Sequence, residues 1–133
     1  MKLFVFLTAL GAAAALSATD AAPLQGQNPN PWTWRGAVAA GRTLEIRGVM
    51  GFIRAEPSSG REVEVTANKH AEDSDITEVR IEVVQEGGDV TICAVYPGNG
   101  NSCERGGGEN HMRGHNDVHV DFTVRVPAGV NFH

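Results

Sequence analysis

The sequence predicts an all-β fold: a twisted, mostly antiparallel two-layer sheet, or the first rungs of a β-solenoid. Three observations carry the prediction. Apolar and polar residues alternate at Val63, Val65 and Ala67, at Val79, Ile81 and Val83, and at Val118, Val120, Phe122, Val124 and Val126. Successive side chains on a strand point to opposite faces, so each stretch has one dry side and one wet side. Gly- and Pro-containing turn sequences, such as Pro57-Ser58-Ser59-Gly60 and Gly87-Gly88-Asp89, separate the alternating stretches. Finally, 133 residues suffice for one small domain and not two.

Residues 1–18 read as a signal peptide. A short basic start, Met1-Lys2, precedes an apolar run broken only by Thr8, and small residues at Ser17 and Ala18 suit cleavage near Ala18 or Ala22. The apolar run is shorter than the roughly 20 residues that span a bilayer, which disfavours a membrane anchor. The expected location is therefore secreted or periplasmic. Residues 19–31 hold Pro23, Pro29 and Pro31 among Gln and Asn and read as a linker. Residues 32–133 form the β-rich domain.

Within the domain, Trp32 and Trp34 lie two apart and share a face if extended; they are expected to cap the core, with a sugar-stacking platform as the alternative. Leu44 and Ile46 point inward from a short strand over 42–47, Gly48 and Gly51 bracket a turn, and the chain continues extended over 52–55. A strand follows over 62–67, and the polar 68–75 stretch reads as a loop. Helical spacing also fits Ile76, Val79 and Val83, but strict alternation of β-branched residues favours a strand over 76–86. Gly87-Gly88-Asp89 makes a hairpin into 90–95, where apolar residues occur on both faces, which suggests a central strand. Residues 98–116 form a long polar Gly-rich loop. The last long strand covers 117–126, and Val130 starts a further extended piece beyond the Pro127-Ala128-Gly129 turn.

The bulk charge and the motifs limit function. A formal net charge of −5 without a basic stripe argues against nucleic acid as a partner. Cys93 and Cys103, the two cysteines, are expected to pair as a disulfide in an oxidising compartment rather than to serve as a nucleophile or as metal thiolates. His111, His115 and His119, near Asp117, Asp121, Glu104 and Glu109, have donor types that suit a zinc site. Gly114 and the strand pattern after Asp117 disfavour the helix that would align these three, so a solvated loop is the simpler reading. The triple glycine at 106–108 lacks the phosphate-loop pattern, and the chain has no GxSxG and no HExxH. The sequence thus predicts no enzyme and no cofactor; a small secreted hydrolase is the remote alternative.

Several segments resemble, in order, the bacterial DUF4097-type family, whose members carry an adhesin label. They are the 42–55 stretch with its Leu-x-Ile strand, turn and Gly-x-Ile strand; 62–69; 90–97; and Val124-Arg125-Val126-Pro127-Ala128-Gly129-Val130. The resemblance implies an exported β-rich domain without known catalytic residues. The β-rich exported architecture without an assembled site leads to the expectation of a non-catalytic surface or periplasmic binding or structural module, its partner an unidentified protein or glycan. Such members usually continue into stacked β repeats after the Pro-Ala-Gly-Val turn. This chain ends at His133. The expectation is a short or truncated member whose C-terminal strand leaves an open edge for self-association.

Overall fold

The computed structural model describes residues 29–112 and 114–133. The signal-peptide assignment and most of the 19–31 linker lie outside the described residues. The alternating stretches become eight strands: β1 (Trp32–Ala37), β2 (Thr43–Arg47), β3 (Ile53–Ser58), β4 (Glu62–His70), β5 (Arg80–Glu86), β6 (Asp89–Val95), β7 (His119–Pro127) and β8 (Asn131–Phe132). They form two four-stranded sheets, ordered β1-β4-β7-β3 and β5-β6-β2-β8. The all-β, two-layer expectation holds.

Pairing is more mixed than alternation suggests. The pairs β1/β4, β4/β7 and β5/β6 are antiparallel, whereas β2/β6, β2/β8 and β3/β7 are parallel. The chain crosses between sheets from β1 to β2, β2 to β3, β4 to β5, β6 to β7 and β7 to β8, so strands adjacent in sequence often pair elsewhere. A parallel pair cannot be joined by a tight hairpin, and these crossings supply its connections.

The inward residues of both sheets make one core. Val63, Val65 and Ala67 of β4 and Val120, Phe122 and Val124 of β7 face Leu44, Ile46, Ile81, Val90, Ile92 and Ala94. Burying each large apolar side chain contributes roughly 1.5–3 kcal/mol. Trp32 and Trp34 pack on the rim of this core, as expected of capping residues. Trp34 lies along its own strand, so close to Gly36 that a Cβ there would stand 2.5 Å from the indole.

Three boundaries differ from the sequence reading. β4 continues through Lys69 and His70, in the stretch expected to be a loop, because Lys69 turns inward and its Nζ donates to the Val79 carbonyl at 3.1 Å. Burial pushes the Lys69 pKa down, and Asp75 partly offsets that shift. Ile76–Glu78 is a single 3-10 turn, capped by the Asp75 carboxylate, which accepts from Thr77 N; the strand begins only at Arg80. β3 extends to Ser58, through part of the expected turn, because its main chain pairs with β7 up to Ser58 and Pro127.

β6 is the central strand, buried on both faces from Val90 to Val95. Its inner face joins the core. Its outer face, with Cys93 and Val95, lies under residues 103–110 of the following loop, which the Cys93–Cys103 disulfide fastens down. Further bonds spread the loop over the second sheet. Asn110 donates to the Ala94 carbonyl and accepts from Tyr96 N at 3.2 Å. Arg47 donates to the Gly107 carbonyl, Gly106 N donates to Glu45, and Arg105 pairs with Asp89 at 2.7 Å. The loop is solvated on its outer side, as expected, with His111 and His115 exposed, while Cys103 and the bonds from 105–110 fasten its inner side to the sheet.

Candidate functional site

With the outer side of the second sheet covered in this way, the outward residues of the first sheet form the open polar face. Strand register arranges them in transverse rows. One row joins Pro31, Asn68, Asp121 and Phe52, as the neighbouring pairs Trp32–Ala67, Asn68–Asp121 and Ile53–Phe122 fix. The next row holds Thr33, Thr66, Thr123 and Arg54, and the one beyond it Arg35, Glu64, Arg125 and Glu56. On the other side of the Asn68–Asp121 pair, His70 stands directly opposite His119.

Pro31, Phe52, Thr66, Asn68, Asp121 and Thr123 line a shallow groove of about 430 Å³. Phe52 supplies an apolar wall. It is 49 % exposed, large for an aromatic ring, and the Arg54 guanidinium lies 5.4 Å from its centroid. The floor is made of two hydroxyls, an amide and a carboxylate.

The turn between β2 and β3 places Phe52 beside Asp121. Val120 N donates to the Met50 carbonyl and Phe122 N to the Phe52 carbonyl, both at 2.9 Å, so the turn continues the β3/β7 ladder. The Asp121 carboxylate accepts from Phe52 N at 3.1 Å. Gly51 permits this approach: its φ is +112°, and a Cβ there would lie 2.2 Å from the Val120 carbonyl oxygen. Only glycine meets both conditions at low cost.

A second carboxylate holds the base of the face. Asp117, just before β7, accepts from the successive amides of Glu72, Asp73 and Ser74 at 2.8–2.9 Å. The Ser74 hydroxyl and these amides hold its pKa well below the ordinary carboxylate range. The clamp ties the turn after β4 to the start of β7, the two strands that carry the groove floor.

The structure disperses His111, His115 and His119. His111 lies on the covering loop, its Nε2 3.2 Å from Glu109; His115 is exposed in the loop beyond; and His119 is on the open face of β7. Among the described residues no group of three or more His, Cys, Asp or Glu is arranged to hold a metal ion. Cys93 and Cys103 form the expected disulfide, across a sequence separation of 10. Sequence reasoning noted Phe52 only as an aromatic where the resembled family commonly has a polar turn residue, and it did not single out Asn68, Thr66 or Thr123 as site residues; register alone gathers them.

A larger groove of about 640 Å³ lies at the opposite end of the first sheet. Small residues and main chain from four turns line it, with Arg42 and Arg61 at its rim. It has no aromatic wall and no carboxylate. No helix among the described residues is long and apolar enough to cross a membrane. No known family profile matches the chain, and neither does any curated protein or solved structure.

Proposed function

We propose that this chain is an exported, non-catalytic binding domain that takes a glycan on the open face of its first sheet. One observation carries the reading: a half-exposed Phe52 beside the Asp121 carboxylate, the Asn68 amide and the Thr66 and Thr123 hydroxyls. A sugar ring has an apolar C–H face and a rim of hydroxyls. An aromatic wall receives the first, and planar carboxylate and amide groups pair with neighbouring hydroxyls. The groove is open and shallow, which suits the end or side of a chain rather than an enclosed small molecule. The disulfide fits an oxidising location outside the cytoplasm.

Titrating isotope-labelled protein with a panel of mono- and disaccharides, followed by amide chemical shifts, tests the reading. At least one sugar should move the amides of Phe52, Asn68, Asp121 and Thr123 with millimolar affinity, worth about 4 kcal/mol. Phe52→Ala should abolish those shifts while leaving the spectrum of the core unchanged. A panel that moves no amide of the groove, or moves them equally in the Phe52→Ala protein, defeats the proposal.

A further inference from the structure

We propose that the cross-strand pair His70 and His119 chelates one divalent transition-metal ion of the copper, nickel or zinc type. The site shares His119 with the set expected from the sequence but uses neither His111 nor His115, and it does not depend on glycan binding. Three features define it. His70 and His119 are direct register partners across the antiparallel β4/β7 pair, so both side chains leave the same face at the same height. Their ring centroids are 5.3 Å apart with planes tilted by 32°. His70 also presents Nδ1 to the carboxylate of Asp121, two residues along β7 from His119, at 3.6 Å.

Each feature bears on coordination. Two imidazole nitrogens on a common metal lie about 2 Å from it and so about 3 Å from each other, a spacing that small ring rotations reach from adjacent cross-strand rings. The strands are fixed by the β4/β7 ladder, so ordering the two ligands costs little beyond those rotations. The Asp121 carboxylate, 3.6 Å from Nδ1, lies just beyond hydrogen-bond reach; a small ring rotation that closes the gap would hold the hydrogen on Nδ1 and leave the Nε2 lone pair for the metal. A carboxylate behind a ligating histidine is the common second layer of such sites. Two nitrogen donors with water in the remaining positions suit borderline dications, with copper(II) bound most tightly. Asp121 also accepts from Phe52 N, so the metal site and the groove share a residue without sharing ligands.

Calorimetry on untagged full chain with copper(II), nickel(II) and zinc(II) salts tests the inference, together with electron paramagnetic resonance of the copper form. One ion per chain should bind, copper most tightly. The spectrum should show coupling to two imidazole nitrogens. His70→Ala and His119→Ala should each weaken binding by about tenfold or more, whereas His111→Ala and His115→Ala should leave it unchanged. The copper spectrum needs no variant and therefore stands even if a substitution disturbs the sheet. No uptake, coupling to a single imidazole, or loss of binding on the His111 or His115 substitution instead would overturn the proposal.

Discussion

Replacing Cys93 and Cys103 together by alanine removes the one covalent fastening of the loop that covers β6. The bridge closes a loop over a sequence separation of 10. The chain-entropy relation for a closure of that size gives about 2.7 kcal/mol at 25 °C. In a domain of this length that loss lowers the melting temperature by roughly 10 °C. Because Asn110, Arg47 and Arg105 still tie the loop to the second sheet, the cover should loosen without detaching. Urea unfolding of the double variant should therefore extrapolate to a free energy lower by about this amount, with a slope equal to or slightly above that of the wild type because its unfolded chain is less constrained. Amide exchange should quicken first in the loop, while the β4/β7 amides stay protected. A loss below about 0.5 kcal/mol would show that the bridge constrains nothing the other bonds do not. Unfolding in plain buffer would show that the loop is part of the core and not a cover.

Tyr96→Phe deletes a buried hydroxyl that donates to the Val118 carbonyl. Leaving that carbonyl without its partner should cost about 1–3 kcal/mol in urea unfolding; a neutral result would mean that another donor satisfies Val118. The acid limb of stability should depend on Asp117. Its depressed carboxylate pKa gives stability that is present above the unfolded value near 4 and is lost as pH falls through the folded value. Asp75, held by Thr77, and Asp89, held chiefly by the Thr43 amide and then by Arg105, act in the same direction. Unfolding midpoints measured from pH 7 to 2 should fall in the wild type, and Asp117→Asn should be less stable at pH 7 and less steep in acid; equal slopes would remove the clamp from the explanation.

Alternation alone made the core legible. Val63, Val65, Val79, Ile81, Val90, Ile92, Val118, Val120, Phe122 and Val124 are all buried, and β6 is central as its two apolar faces imply. Of the apolar residues of the alternating stretches, Val83 and Val126 are partly exposed and pack against the rim. The partners of β2 and β3 were not legible, since a period of two says which way a side chain faces and not which strand lies alongside. Lys69 shows a further limit. A lysine reads as a loop residue, yet its ammonium reaches the Val79 carbonyl and its stem completes the end of β4. The groove was hidden for the same reason as the parallel pairs. Phe52 and Asp121 are far apart in the chain, and only the β3/β7 register makes them neighbours. His70 and His119 meet only through the β4/β7 register, so no local spacing announces them.

The two broad sides of the sandwich have different freedom to change. Outward residues of the second sheet are engaged by the bridged loop, so substitutions there trade against the fold itself. On the other side Thr33, Thr66, Asn68 and Arg54 project from strands whose inner residues already anchor them, and they contribute little to the core. Such a surface is a blank page on a bound book: its lettering can be rewritten to meet a new ligand while the binding that holds the leaves together stays as it was.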